Sequence, residues 1–363
     1  MTNGKLDDKH MIDLTNRDGL ISYLKSHGLW AKKSLGQNFL VDREALDKIV
    51  EAADLTTPTP LLEKEGDKED LVIEIGPGLG VLTEELVNRA GKVTAVELDQ
   101  KLANLLAENY GSVISTPRGQ SGVEKSSDLH KISPPPKGSR DDKNTAEARS
   151  RDDKLEVINA DILKLNIPEL VRAEKYKVVA NIPYYITSKI LELFLTQGNK
   201  PESIVLLVQK EVAERICARP GQLSILALSV QAYGQPEIVG IVPKESFFPA
   251  PKVDSAILRI KDIHPFNCHS RLDLESKLVD PSLRWDDKEK ARDDSFCGEK
   301  DFFRLVHVGF ASKRKTLVNN LAAGYHLDKK KASDIIKSIG LDENIRAQEL
   351  SLDDWQKLVS KLT

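Results

Sequence analysis

A glycine-rich segment, Gly76-Pro77-Gly78-Leu79-Gly80, directly follows a short apolar run. Gly76 and Gly78 allow the backbone to turn tightly and to approach a ligand closely. Glu97 ends a second apolar run, where an acidic side chain can bind the hydroxyl groups of a ribose. This pattern suits NAD and S-adenosylmethionine equally. It is also compatible with a tight connection that binds nothing and with a solvated Glu97.

A second group of side chains, Asn181-Ile182-Pro183-Tyr184, follows another apolar run. The N6 amine of adenine is a poor nucleophile because its lone pair is delocalised into the ring. The Asn181 amide oxygen and a main-chain carbonyl can accept hydrogen bonds from this amine and favour a tetrahedral nitrogen. Pro183 fixes φ, and Tyr184 offers a ring for stacking on a flipped-out base. The alternative is a strand-to-helix turn in which Asn and Pro serve local geometry.

Two further segments carry candidate binding residues. Asp161 follows the apolar run 155–159, where its carboxylate could accept from an adenine amino group; a helix N-cap is the alternative. The segment from Phe247 to Ser255 combines aromatic residues with prolines. It could supply a second stacking wall, or a rigid edge loop with two core aromatics.

These candidate residues lie at the ends of a regular series of predicted helices and strands. Asp42 is a plausible N-cap for a helix at 43–53. The order strand, glycine-rich turn, helix, strand over residues 71–109 is a βαβ unit and predicts a parallel sheet. Further strands are predicted at 155–159, 177–182, 203–208 and 255–260, and further helices at 188–195, 210–218 and 222–233. Beyond residue 301 the pattern predicts only helices, at 302–310, 313–321, 329–339 and 351–362.

Composition narrows the class of protein. The 363 residues include 40% hydrophobic and 30% charged residues, which is typical of a globular chain of about two domains. No apolar run approaches the ~18 residues of a membrane helix. The N-terminus carries Asp7 and Asp8 and no long apolar core, so it resembles neither a signal nor a transit peptide. The three cysteines form no CxxC pair, so we expect reduced thiols and no metal site.

Charge is distributed unevenly along the chain. The net charge is −3, which argues weakly against a nucleic-acid partner. Residues 301–363 nevertheless carry a net charge of +3, and this segment includes Lys313, Arg314 and Lys315. Such residues can pair with phosphates, although a solvated helix face is an equally good interpretation.

Taken together, the motifs resemble those of the ribosomal RNA adenine N6,N6-dimethyltransferases. The resemblance covers roughly residues 31–110, 155–261 and 301–360. It rests on SLGQNFLVD (34–42), EIGPGLGVLTEEL (74–86), VELD (96–99), NADIL (159–163), NIPYYITS (181–188), FFPAPKVDSAILRI (247–260) and GFASKRKTLVNNL (309–321). Ile182 stands where the family commonly has Leu, and the stretches 111–154 and 263–300 are unusual insertions.

The resemblance implies a fold and a set of site residues. The fold is a Rossmann-like methyltransferase domain with a mostly parallel seven-stranded sheet, followed by a small C-terminal all-helical domain. The implied cofactor is S-adenosylmethionine. Asn38 and Leu40 would contact its methionine part, and Gly76 would lie against the backbone of the cofactor. Glu97 would hold its ribose, and Asp161 would bind its adenine. Asn181 would bridge cofactor and target amine. In the target pocket, Pro183 would rigidify the loop, and Tyr184 and Phe247 would sandwich the adenine.

The resemblance also implies a substrate and a domain plan. We expect dimethylation at N6 of two adjacent adenosines in the 3′-terminal hairpin of small-subunit rRNA, presented by an immature small subunit. We predict a leader at 1–30, a methyltransferase domain at 31–261 with a disordered insertion at about 111–154, a low-complexity linker at 262–300 and an RNA-contacting helical domain at 301–363. A cytoplasmic monomer with no membrane partner is expected.

Three other functions remain open at this point. A methyltransferase of the erythromycin-resistance type would use the same site chemistry on large-subunit RNA. A ribosome-assembly factor would act mainly by binding the immature subunit, and its catalytic activity would be secondary. A nicotinamide dehydrogenase is remote, because it has no evident use for the segment 181–184 and no convincing catalytic histidine lies beside the predicted sheet.

Overall fold

A computed structural model of the protein describes residues 13–32, 35–55, 70–110, 114–115, 154–172, 174–266 and 298–362. The predicted insertion at 111–154 and the predicted linker at 262–300 therefore lie largely outside the described residues. The described strands are β1 (Phe39–Leu40), β2 (Leu71–Ile75), β3 (Lys92–Glu97), β4 (Ile114–Ser115), β5 (Leu155–Asn159), β6 (Tyr176–Asn181), β7 (Ser203–Gln209), β8 (Gln235–Val242), β9 (Phe247–Phe248) and β10 (Ser255–Lys261).

The helices follow the predicted series closely. Those described are α1 (Arg17–Ser26), α2 (Arg43–Ala52), α3 (Val81–Arg89), α4 (Gln100–Tyr110), α5 (Ile167–Val171), α6 (Thr187–Thr196), α7 (Lys210–Ile216), α8 (Ile225–Gln231), α9 (Glu299–Gly309), α10 (Leu317–Gly324), α11 (Lys329–Ser338) and α12 (Leu352–Leu362). No helix within these ranges is long and apolar enough to cross a bilayer.

The main sheet has the strand order β4-β5-β3-β2-β6-β7-β10-β8. Pairing is parallel from β4 through β7. Seven of the strands form the mostly parallel sheet expected from the sequence, and β4 adds two residues at one edge. The predicted Rossmann-like fold class is therefore confirmed. The small strands β1 and β9 pair with each other in a separate antiparallel ribbon.

Burial explains why these segments form strands and helices. All five residues of β2 are buried, as expected for a central parallel strand covered on both faces. In α2 the buried positions include Leu46, Ile49 and Val50, the apolar face of an amphipathic helix. Asp42 caps this helix as predicted, because its carboxylate accepts a hydrogen bond from the Ala45 N–H at 3.0 Å.

Helix α1 lies in the segment predicted as a peripheral leader, and it is firmly packed. Leu20 and Leu24 are fully buried in a cluster with Leu79 and Leu102. Tyr23 packs against the same cluster, and the Asn109 amide donates to its hydroxyl at 3.1 Å. Residues 17–26 are thus a structural part of the molecule, and the boundary at residue 30 stays a prediction.

The chain forms two compact units. The first contains Met1–Thr187, Ser203–Val208 and Val239–Ile257, and the second contains Ser188–Glu202, Gln209–Ile238 and Leu258–Thr363. The last part of the second unit is all-helical, as predicted. Its core includes the fully buried side chains Phe302, Leu305, Trp355 and Leu358. The boundaries at residues 261 and 300 stay predictions.

One predicted helix boundary was wrong, and the difference changes where three basic residues lie. We predicted a helix at 313–321, but α10 begins at Leu317, after the N-cap Thr316. Lys313, Arg314 and Lys315 therefore lie in the preceding turn and not on a helix face.

Candidate active site

The carboxyl ends of three neighbouring parallel strands, β3, β2 and β6, meet at one edge of the sheet. Ile75 of β2 lies opposite Val96 of β3 on one side and opposite Ala180 of β6 on the other. The next residue of each strand is Gly76, Glu97 and Asn181, so the register brings three predicted site residues together. Strand order reverses between β2 and β6, which is where open α/β sheets bind their ligands.

The glycine-rich turn presents bare backbone at this edge. Gly76 and Gly78 have φ of 68° and 60°, in the left-handed region that favours glycine. A Cβ atom on Gly76 would stand 3.7 Å from the Asn181 main-chain oxygen, and one on Gly78 would stand 3.4 Å from Phe39 Cε1. The missing side chains therefore leave space beside the Asn181 carbonyl for a ligand to approach the main chain.

Glu97 is buried, which excludes the solvated carboxylate that the sequence left open. One of its oxygens accepts from the Gly78 N–H at 3.1 Å, and the other accepts from the Asp99 N–H at 2.8 Å. Burial raises the pKa of Glu97, and these two hydrogen bonds oppose the rise. Each carboxylate oxygen keeps a further lone pair for a ligand hydroxyl.

Glu74 is a second buried carboxyl that sequence reasoning did not single out. It lies in the middle of β2, is 1% exposed and forms no hydrogen bond with a described residue. Desolvation raises its pKa to about 8; the nearby Thr83 hydroxyl opposes the rise and the Glu97 carboxylate adds to it. The signal in the sequence was a lone acidic residue inside the apolar run 71–75.

The loop after β6 carries the predicted acceptor and stacking residues. The Asn181 side chain makes no hydrogen bond to any described residue, so its amide is available to a ligand. The Pro183 carbonyl accepts from the Ile186 N–H at 3.2 Å and closes the turn. The Tyr184 hydroxyl shares a hydrogen bond with Ser255 Oγ at 2.7 Å. Burial raises the pKa of Tyr184, and the Ser255 contact opposes that rise.

Asp161 serves as an N-cap, the structural alternative considered for it. Its Oδ1 accepts from the Leu163 N–H at 3.1 Å at the start of a 3₁₀ turn, Ile162–Lys164. Its Oδ2 lies 3.8 Å from Lys164 Nζ. The side chain is about one-third exposed, so this second oxygen can still accept a hydrogen bond from a ligand.

Two motifs that are distant in sequence are joined by the β1–β9 ribbon. Leu40 lies opposite Phe247, and Phe39 lies opposite Phe248. The Ser246 hydroxyl donates to the Asp42 carboxylate at 2.5 Å. Leu40 and Phe247 are both in the hydrophobic core, and Phe247 is only 3% exposed. As placed, the Phe247 ring therefore has no free face for a base.

The segment carrying Asn38 borders both the glycine-rich turn and the loop after β6. The Asn38 amide donates to the Gly36 carbonyl at 3.1 Å. A Cβ atom on Gly36 would stand 3.2 Å from Pro183 Cβ and 3.4 Å from Tyr185 Cε1. Asn38 is thus held next to the loop that contains Asn181, as its predicted role requires.

Two exposed apolar side chains near this edge were not predicted. Leu98 follows Glu97 directly and is 54% exposed, and Tyr185 follows Tyr184 and is 65% exposed. A large apolar side chain is conspicuous when it remains exposed beside a polar site. The motifs VELD and NIPYY contained both residues, but exposure is a property of the folded chain.

Comparison with protein families and known proteins agrees with this geometry. Residues 28–116 and 142–276 match a family model described as ribosomal RNA adenine dimethylase. Ribosomal RNA small subunit methyltransferase A of Dehalococcoides mccartyi is 38% identical over 336 residues, which is 92% of this chain and 89% of that protein. The protein of the same name from Desulfitobacterium hafniense is 35% identical over 91% of each chain.

Two solved structures share the fold. The 23S rRNA methyltransferase ErmE has a TM-score of 0.57 and 23% identity, covering 90% of this chain and 99% of its own. A dimethyladenosine transferase from Plasmodium falciparum has a TM-score of 0.57 and 22% identity, covering 88% and 95%. The family resemblance expected from the motifs is confirmed, and the chain belongs to the ribosomal RNA adenine dimethylase family.

Proposed function

We propose that this protein transfers two methyl groups from S-adenosylmethionine to the N6 atom of each of two adjacent adenosines in the 3′-terminal hairpin of small-subunit rRNA. The observation that carries the proposal is the register of β3, β2 and β6. It places a buried carboxylate, a bare glycine turn and an unpaired amide side by side at the switch point of the sheet.

Family membership makes the chain an S-adenosylmethionine-dependent rRNA adenine dimethyltransferase, which confirms the enzyme class and methyl donor expected from the sequence. When bound, S-adenosylmethionine supplies an electrophilic methyl group. The site fits this cofactor in two respects. The glycine turn has no side chain where a ligand would approach the backbone, and Glu74 is a buried carboxyl with no partner among the described residues.

Unused acceptor positions on Glu97 and Asp161 support the cofactor-binding roles proposed for them from the sequence. Glu97 would accept from the ribose hydroxyls with the lone pairs that Gly78 and Asp99 leave free. Asp161 would accept from the adenine amino group through Oδ2. Asn38 would contact the methionine part. Leu40, whose side chain is buried in the core, would contact it through its main chain, and Gly76 would lie against the backbone of the cofactor.

The target amine would be held by oxygen acceptors. The Asn181 amide oxygen and a main-chain carbonyl of the loop accept hydrogen bonds from the two N6–H groups. This draws the nitrogen toward tetrahedral geometry and stabilises positive charge as it develops. Pro183 limits the motion of the loop. No dedicated general base is needed, because the product proton can leave to solvent.

The two proposed stacking residues differ in how accessible their rings are to a base. Tyr184 is half-buried and its hydroxyl is anchored to Ser255, so its ring is held in one orientation. Phe247 would have to be uncovered by a local rearrangement before its ring could stack on a base. We therefore assign the permanent wall of the target pocket to Tyr184, and to Phe247 a wall that forms on binding.

The partner and compartment are part of the proposal. Small-subunit rRNA would be presented by an immature small subunit in the cytoplasm, and the enzyme would act as a monomer. Lys313, Arg314 and Lys315 are exposed, and none of them pairs with an acidic residue in the described ranges. Their charges are free for RNA phosphates, which bind basic side chains without regard to sequence.

The test is methyl transfer from labelled S-adenosylmethionine to immature small subunits and, separately, to protein-free large-subunit RNA, followed by nucleoside analysis. We expect N6,N6-dimethyladenosine in the small subunit alone. The Asn181→Ala variant should lose at least a hundredfold in kcat, since removing one preorganised hydrogen-bonding group costs about that much. Its affinity for S-adenosylmethionine should fall far less, because Asn181 is one of several proposed cofactor contacts.

Other outcomes would point elsewhere. Product in large-subunit RNA would identify an enzyme of the erythromycin-resistance type. A catalytically dead Asn181→Ala variant that still corrects a subunit assembly defect would identify an assembly factor. Cofactor binding without transfer to either RNA would refute the substrate assignment.

A further inference from the structure

Tyr184 and Tyr185 are adjacent in sequence but differ sharply in environment. Tyr184 is half-buried and hydrogen-bonded to Ser255. Tyr185 is 65% exposed, and its hydroxyl forms no hydrogen bond with any residue in the described ranges. An aromatic side chain of this size gains nothing from exposure, because about 25 cal/mol is forgone for each Å² of apolar surface left in water.

One edge of the Tyr185 ring nevertheless lies close to Gly36. A Cβ atom on Gly36 would stand 3.4 Å from Cε1 and 3.6 Å from Cδ1 of this ring. Gly36 has φ of 63° and no side chain, so its main chain can lie beside this edge of the ring. The result is a flat aromatic surface, supported from one side and open to solvent, immediately after the proposed target-binding residue Tyr184.

Supported, exposed aromatic rings are the surfaces on which proteins stack unpaired nucleic-acid bases. We propose that Tyr185 stacks on the base adjacent to the adenosine that is being methylated. The inference rests on the proposed function and deepens it. Because the proposed substrate is a pair of neighbouring adenosines, this contact would hold one of them while the other occupies the target pocket.

Tyr185 would thus be an RNA-binding and specificity-determining residue that does not touch the reacting atoms. Its removal should weaken binding of the RNA substrate and leave the chemical step intact. The competing explanation is structural: the ring could serve only to pack on Gly36 and so position Asn38 for the cofactor. The two explanations differ in which ligand loses affinity.

Three variants separate them. Tyr185→Leu keeps apolar cover over Gly36 but removes the flat ring; Tyr185→Phe restores the ring; Tyr185→Ala removes both. We expect Tyr185→Leu and Tyr185→Ala to raise KM for immature small subunits by roughly 5- to 150-fold, the usual range for one base–aromatic stack. Values of kcat and the Kd for S-adenosylmethionine should stay within twofold, and Tyr185→Phe should return KM to within twofold of wild type.

The matched control is Trp30→Leu, the same kind of change at another exposed aromatic residue, 59% exposed. The KM of this control variant for immature small subunits should not change. The proposal is overturned if Tyr185→Leu leaves KM within twofold of wild type, or if its effect falls on cofactor affinity or on kcat alone. Wild-type activity on small subunits is measured in the same assay, so its absence would refute the proposed function instead.

Discussion

Glu74 shows how a single residue can conflict with its surroundings. It is a carboxyl group in a strand whose five residues are all buried, and the nearby Thr83 hydroxyl compensates for this burial only in part. Burying an unpaired charge is so costly that the group takes up a proton instead. Its pKa is accordingly raised to about 8 from 4.5. The carboxyl is therefore mostly neutral at physiological pH in the ligand-free protein.

This shift predicts a pH-dependent stability. The folded state binds the Glu74 proton more tightly than the unfolded chain between pH 4.5 and 8. The contribution of Glu74 to the free energy of unfolding is therefore greatest below pH 4.5 and falls as pH rises toward 8. The Glu74→Gln variant cannot ionise, so its stability relative to wild type should improve with pH, by at most about 1.4 kcal/mol per pH unit.

Thermal unfolding of both proteins from pH 5 to pH 8 measures the effect. The control is Glu84→Gln, which makes the same substitution at an exposed glutamate in the first turn of α3. A difference between Glu74→Gln and wild type that stays constant over this range would contradict the prediction.

At the scale of elements, the start of α3 depends on a glycine that has two separate constraints. Gly80 is the N-cap and has φ of 87°, where a side chain is strained. A Cβ atom there would also stand 2.6 Å from Cδ1 of Leu106, a buried residue of α4. The glycine thus permits both the turn that carries the site and the close approach of α3 to α4.

We expect Gly80→Ala to lower the free energy of unfolding by about 2–4 kcal/mol, the sum of backbone strain and overpacking. Gly28→Ala is the matched control, because Gly28 has φ of 60° but open space around its Cβ position. It should cost about 1 kcal/mol from strain alone. Chemical denaturation measures both; equal losses would show that the Leu106 contact has no consequence.

At the scale of the whole molecule, charge is unevenly distributed along the chain. The net charge of −3 hides a C-terminal segment of +3, in which the turn Lys313, Arg314 and Lys315 has no acidic partner in the described ranges. Unpaired basic side chains on a surface attract polyanions, and each phosphate they neutralise makes binding more sensitive to salt.

Replacing Lys313, Arg314 and Lys315 with Gln should therefore flatten the dependence of RNA affinity on salt. If all three contact phosphates, the slope of log K against log salt should fall by about 2. The matched control replaces Lys329, Lys330 and Lys331 with Gln, which removes the same charge from exposed positions at the start of α11. Equal changes in slope for the two triple variants would refute a specific role for the turn.

Much of the fold could be predicted because the signals are local. Apolar runs and turn residues predicted a βαβ unit over 71–109 and a strand at 155–159, and the observed β2 to α4 and β5 match these ranges to within one residue. Strand β8 was missed because Pro236 and Gly240 interrupt its pattern, and both residues are typical of turns. An edge position in the sheet tolerates them, but the sequence does not say which strand lies at an edge.

The sequence by itself determined the family, the cofactor class and the edge of the sheet where the site residues meet, since consecutive parallel strands must end on the same side. Only the tertiary structure decided how each side chain is presented. It buried Phe247 against Leu40, tied Tyr184 to Ser255 and left Tyr185 exposed. These outcomes depend on contacts between segments up to about two hundred residues apart, and such contacts leave no periodicity in the chain.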